Sequence, residues 1–323
     1  MRRGDGLGLV RVHEPIALMA ASVSASVHLG WWVRRERLVA VERLHPLHMA
    51  GELEMARVRE ETRLAMRIAH PNVVATFGLV CGSAELLAVM DYVPGASLAE
   101  LAGAVPRGLE PRIACAIVAG ALRGLHAAHE ARASVLPRCI SAARVLVGED
   151  GRARILGFDV RGPGVVRPCD LVDELPYASP EQLLRRGVDA RRDVYGASVV
   201  LWETLTGRPL FRAPTVEGTL RKILAEGAPA PSRHAPHIGP DLDALVLRGL
   251  ARDPATRFES ASAMARALDA ASGASTDEIA RALASLDLPG VRRRCALAEA
   301  VRRREASECG PLHLECSKGG SKG

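Results

Sequence analysis

Lysine is almost missing from this chain. Of the 43 basic residues only Lys222, Lys318 and Lys322 are lysine, and none lies before position 222. Biased codon usage accounts for the scarcity, but any chemistry that needs an early lysine is excluded. The formal charge of +6 is spread along the sequence, so it does not by itself imply binding to nucleic acid. Long apolar runs are also lacking. A membrane-spanning helix needs about 20 consecutive apolar residues, and the best stretch, Ala17 to Val33, is broken by Ser22, Ser24, Ser26 and His28. It reads as buried strand, and no membrane span is expected. The seven cysteines form no CxxC pair, which argues against a disulfide framework. Met1-Arg2-Arg3 runs into Gly4-Asp5-Gly6 rather than an apolar stretch, so a secretory signal is not expected and the cytoplasm is the expected location.

What is present is ordinary for a globular protein. The chain has 323 residues, 48% hydrophobic and 25% charged, which suggests about two domains or one two-lobed domain with a tail. No internal repeat is visible. Strands are expected at Val27–Val33 and Leu38–Val41, divided by the charged turn Arg34-Arg35-Glu36-Arg37. Met55, Val58, Ala65 and Ile68 recur at three- and four-residue spacing and predict an amphipathic helix over 52–69. His70-Pro71-Asn72 ends it, because the residue before proline is pushed out of the helical region. Strands follow at 73–80 and 86–90, then a turn-rich linker over 91–95. Pro111 opens a helix to about Glu130. Val145–Val147 and Ala153–Leu156, joined across Gly148–Gly151, predict a hairpin. Further helices are expected at 191–206, 216–226, 241–251 and 260–271, and Ser272–Ser275 reads as a linker. The rest carries weak helical pattern and two arginine clusters, Arg292–Arg294 and Arg302–Arg304.

A strand-rich part with one helix, a hinge and a helical part is the order of a protein kinase, and a series of short motifs follows that order. They are Val39-Ala40-Val41-Glu42, Glu61, His70-Pro71-Asn72-Val73-Val74, Val89-Met90-Asp91-Tyr92-Val93, Leu125-His126-Ala127-Ala128-His129, Val145-Leu146-Val147, Tyr177-Ala178-Ser179-Pro180-Glu181, Asp193-Val194-Tyr195-Gly196 and Arg252-Asp253-Pro254-Ala255-Thr256-Arg257-Phe258. Over roughly 10–271 the sequence resembles bacterial Ser/Thr protein kinases. The resemblance implies an α+β, two-lobed protein-kinase-like fold: a β-rich N-lobe with one helix over 10–93, a mainly helical C-lobe over 94–271, and a weakly structured, partly helical tail over 272–323.

Phosphoryl transfer in this family uses a glycine-rich loop, a lysine held by a helix glutamate, a catalytic aspartate, a metal-binding asparagine and a DFG aspartate. Aligned on the motifs, the glycine positions fall on Ala20, Ser22 and Ala25. The lysine position is Glu42, whose carboxylate would repel both phosphate and the retained glutamate, Glu61. Two like charges about 4 Å apart cost on the order of 4 kcal/mol at an effective dielectric near 20, so Glu42 is expected to protonate, to bend away, or to find an arginine such as Arg43, Arg59 or Arg63. The His-Arg-Asp-x-x-x-x-Asn loop falls on Pro137–Arg144, placing Cys139 where the aspartate belongs and Arg144 where the asparagine belongs. Arginine has no lone pair for a metal. The DFG triplet falls on Gly157-Phe158-Asp159.

No catalytic group is therefore expected intact except Glu61, and no metal site or resident cofactor is expected. A nucleotide cleft is implied at Ala20, Ser22, Ala25, Val27, Ala40, Met90, Asp91 and Val93. Structural roles are implied for Glu181 and Arg257 as an ion pair, for Asp193 as a support of the catalytic loop, and for Phe158. Three readings stay open: a pseudokinase that binds or scaffolds a protein partner, one that holds ATP without magnesium through Arg138 or Arg144, and an active kinase with displaced catalysts. The tail cluster Cys309, His313 and Cys316 reads as chance rather than a zinc site, and the arginine clusters read as a solvated helix rather than a nucleic-acid contact.

Overall fold

The structure, a computed structural model, describes residues 2–4, 8–12, 18–21, 25–44, 52–81, 86–131, 140–156, 174–187 and 189–308. Seven strands form the first sheet: β1 (Arg2–Gly4), β2 (Gly8–Val12), β3 (Leu18–Ala21), β4 (Ala25–Trp32), β5 (Arg37–Leu44), β6 (Thr76–Cys81) and β7 (Leu86–Asp91). Their order is β1-β2-β4-β5-β7-β6, and β3 also pairs with β4. The charged turn between β4 and β5 is a single 3-10 turn closed by Glu36 in the left-handed region at φ 48°. Between β5 and β6 lies helix α1 (Glu52–Ala65).

Side chains alternate across a strand, and this gives the sheet two distinct faces. Trp32, Val39, Val41, Val80, Leu87 and Val89 pack together on one. On the other, Val27, Leu29 and Trp31 of β4 lie beside Glu42, Ala40 and Leu38 of β5 in register.

The chain leaves β7 through residues 92–94 into a smaller sheet of β8 (Gly95–Ser97), β9 (Val145–Gly148) and β10 (Ala153–Ile155). Helix α2 (Leu98–Ala104) starts on a reciprocal cap between Ser97 and Glu100. Helix α3 (Pro111–Glu130) is the central helix, with Ile113, Ile117, Leu122 and Leu125 buried. It can approach residues 72–73 closely because Gly124 has no side chain there: a Cβ would lie 2.3 Å from the Asn72 carbonyl oxygen. Five helices follow, α4 (Pro180–Leu183), α5 (Arg191–Thr206), α6 (Val216–Ala225), α7 (Pro240–Gly249) and α8 (Ala261–Ser272), of which α5 and α8 pack on α3.

Three expectations need correction. The strand expected over 73–80 starts at Thr76, with Val73 making only an isolated bridge to Ile155. The helix expected over 52–69 ends at Ala65 and continues as a turn. The tail over 272–323, expected to be weakly structured and partly helical, is helical as expected but better ordered in its described part, with α9 (Thr276–Ser285) and α10 (Pro289–Glu308). Ile279, Leu283 and Leu288 enter the main core, with α9 packed on α3. Leu297, Ala298 and Val301 pack on Leu29 and Leu38 of the first sheet. The arginines around these residues dilute the apolar pattern, so its three- and four-residue spacing is easy to overlook. Among the described residues no helix is long and apolar enough to cross a membrane.

Candidate active-site cleft

Between the two sheets lies a cavity of about 470 Å³. Met19, Val27 and Ala40 line it from the first sheet, Leu146 and Leu156 from the region of the second, and Met90 to Val93 along the connection between them. Ala40, Val74, Ala88 and Met90 form a small apolar cluster at its back. Such a slot, flat and mostly apolar with few polar groups, is the usual make-up of a small-molecule site.

The polar groups at its inner end are Glu42 and Arg144. Glu42 points into the cavity because it shares the alternating face of Ala40, and it stands opposite Val27 and Ala88. Among the arginines expected to answer it, Arg63 is exposed and sits 4.0 Å from Glu60 instead. Arg144 closes a 3-10 turn just before β9 and donates to the Glu174 carboxylate at 3.1 Å. A guanidinium engaged in this way offers no lone pair to a cation, so this position does not fit a magnesium ligand. Among the described residues, no three histidine, cysteine, aspartate or glutamate side chains are gathered so as to hold a metal ion.

The outer end of the cavity is also polar. Asp91 is ion-paired with Arg37. Arg294, from α10, donates to both oxygens of Glu100 at 2.8 and 3.0 Å and to the Gly95 carbonyl at 3.0 Å. Burial pushes the Glu100 carboxyl up, but hydrogen bonds from Arg294 and from the Ser97 amide bring it below its ordinary value.

The remaining candidates fall as follows. Ala20 lies in β3 opposite Val27, and Ala25 opens β4 opposite Leu44. Glu61 falls within α1. Ser22, Arg138, Cys139, Gly157, Phe158, Asp159, Cys309, His313 and Cys316 lie outside the described residues.

Beneath the cleft, Arg257 and Glu181 form a two-pronged ion pair with distances of 2.7 and 2.8 Å, both side chains being almost fully buried. Arg257 donates further to the carbonyls of Ala251, Arg191 and Arg252 and lies 4.9 Å from the centre of the Tyr195 ring. Burial alone pushes the Glu181 carboxyl up, and the Arg257 hydrogen bonds overcome this, so it ends below its ordinary value. Asp193 is buried at the start of α5 and is joined at 2.8 Å to the Nε2 of His129, at the end of α3. The sequence supplied no reason to single out His129, Glu174, Glu100 or Arg294. His129 is visible only within the motif that starts at Leu125 and Arg294 only within the Arg292–Arg294 cluster, while Glu174, Glu100 and Arg294 meet their partners across long stretches of chain.

The comparisons with known proteins agree with this architecture. The family model for the protein kinase domain matches residues 23–268. The chain is 30% identical over 252 residues to Serine/threonine-protein kinase PknB of Mycolicibacterium smegmatis, covering 74% of this chain and 40% of that protein. It is 31% identical over 250 residues to the probable serine/threonine-protein kinase SCO3848 of Streptomyces coelicolor, covering 74% and 37%. The chain thus spans about two fifths of the length of these relatives. Among solved structures, the Mycobacterium tuberculosis PknI kinase domain superposes with a TM-score of 0.64 at 23% identity, over 84% of this chain and 98% of that one. A double mutant of the same domain gives 0.66 at 23% identity, over 84% and 99%.

Proposed function

The chain belongs to the bacterial Ser/Thr protein kinase family, and on that premise we propose that it is a catalytically inactive member that works as a binding, scaffold or regulatory module for a protein partner. The observation that carries the reading is the pair of substitutions at the inner end of the cleft. Glu42 and Arg144, the latter bonded to Glu174, line the cavity, and the motif order aligns them with the family's lysine and asparagine. A carboxylate where phosphate charge is handled, and a guanidinium where a metal is held, both oppose phosphoryl transfer. Cys139 and Gly157, at the two aspartate positions of the family pattern, add to this. The groups of such a site act as a unit, so the loss of several leaves little for the survivors to do.

A second reading rests on the apolar slot and on Arg144. The slot retains the size for a nucleoside, and a guanidinium is a good partner for phosphate when no metal is present. Thermal unfolding of the full chain with ATP, in either magnesium or EDTA, separates the two. A ligand at 100 times its Kd stabilises the fold by about 2.7 kcal/mol, which is readily seen. No shift in either condition supports the scaffold reading. A shift that persists in EDTA supports ATP binding without magnesium, and a shift that needs magnesium contradicts both.

A further inference from the structure

Residues 273–308 lie beyond the 23–268 kinase match, yet they are fastened to both parts of the fold. At the C-lobe end, Arg112 of α3 donates to the Gly273 carbonyl at 3.2 Å and to Glu278 at 3.3 Å. Ile279 and Leu283 of α9 are buried in the helical core. A Cβ on Gly151, in the β9–β10 turn, would lie 1.8 Å from the Thr276 carbonyl oxygen, so the hairpin and the start of α9 touch backbone to backbone. In the middle, Arg294 is fixed at the cleft mouth by Glu100 and Gly95, and Cys295 meets Glu149 at 3.3 Å. At the far end, Leu297, Ala298 and Val301 bury themselves on Leu29 and Leu38, with Trp31, Met19 and Tyr92 at the margin.

The place where α10 lands gives this arrangement its meaning. Leu29 and Leu38 stand on the same face of β4 and β5 as Val27, Ala40 and Glu42. One continuous sheet face therefore roofs the cleft at its inner end and rests on α10 at its outer end. Met19 and Tyr92 belong to both, touching the helix cluster and lining the cavity. Arg294 lines the cavity itself. The lobes are joined by the 92–94 connection and also by this second bridge from the opposite end of the chain.

We propose that α9 and α10 form an intramolecular strap that holds the two lobes at a fixed angle and walls the mouth of the cleft, with Arg294 as its pin, so that the cleft opens only when α10 undocks. The strap covers the sheet face in cis and leaves that face closed to a partner until it is released. This inference does not depend on whether the cleft binds a nucleotide.

The test is hydrogen exchange, read by mass spectrometry, on the full chain without ligand. In the native protein the amides of 293–305 exchange at least tenfold more slowly than in the free peptide, because docking protects a helix that would otherwise fray. Leu297→Asp places a charge in the helix–sheet contact. It is expected to bring 293–305 to the peptide rate and to speed exchange over 91–97 at least tenfold, with α5 unchanged. Unprotected 293–305 in the native chain overturns the proposal, as does release of α10 with 91–97 unaffected. Should Leu297→Asp strip protection from α5 as well, Arg294→Gln decides. It removes one half-buried pin and no residue of the apolar core, and is expected to speed exchange over 91–97 at least threefold with α5 intact; no change there overturns the strap.

Discussion

Arg144, which lines the cleft, donates to the Glu174 carboxylate at 3.1 Å. The bond ties the cleft to Glu174, the residue just before the 175–177 turn, through a charge that magnesium would repel. Restoring single family residues is therefore expected to restore nothing. On the proposed reading, Glu42→Lys and Arg144→Asn, alone or together, should show no more label transfer from ATP than the native chain, because Cys139 and Gly157 would remain at the other aligned positions. A tenfold gain from either single change contradicts this.

The ion pair formed by Arg257 and Glu181 is buried on both sides. Removing one partner strands a buried charge, which typically costs about 3–5 kcal/mol. Arg257→Met is expected to lower the unfolding free energy by that margin, read from the shift of the urea midpoint at an unchanged m-value. A loss under about 1 kcal/mol means that the pair is solvated and merely decorative.

The pH dependence follows from the same carboxylates. Glu181 and Glu100 are held below the ordinary value of 4.5, and Asp150 and Asp189 below 3.8. Depressed carboxyls add stability that is fully present above their unfolded pKa and is lost as pH falls through the folded one. Glu203, pushed up by burial despite hydrogen bonds from the Leu210 amide and Tyr177, works in the opposite sense. Glu278 is lowered as well, by hydrogen bonds from Ser275, and with five lowered carboxyls against one among the described residues, stability is expected to fall on acidification below about pH 4.5. Glu181→Gln should flatten that fall, and a profile unchanged by this substitution contradicts the assignment.

Gly124 tests how closely α3 is packed. A methyl group there would meet backbone, the Asn72 carbonyl oxygen at 2.3 Å, and backbone does not swing aside. Although alanine is the better helix former by about 1 kcal/mol, Gly124→Ala is expected to destabilise by about 1–3 kcal/mol, as overpacking does. A rise in melting temperature would show that the contact is looser than it stands here.

Much of this was legible beforehand because the signals were local. Alternation put Ala40 and Glu42 on one strand face, Pro111 marked the start of α3, and the motif order gave the two lobes. The contents of the cleft were less legible. Glu174 and Arg294 reach Arg144 and Glu100 across 30 and 194 residues, and no spacing rule connects such positions. Helix α10 was obscured for another reason. Its apolar residues, Leu297, Ala298 and Val301, form a narrow stripe among arginines. Such a stripe reads as a solvated helix until the sheet face that receives it is known.

The most direct test of the central claim is single-turnover transfer of the γ-phosphoryl group from labelled ATP, with the full chain in excess and magnesium or manganese present. A catalytically inactive family member leaves the label on ATP, with no transfer to the protein, to an added protein substrate or to water above the protein-free rate. Label transferred in proportion to the amount of protein, and lost when magnesium is chelated, would contradict the account.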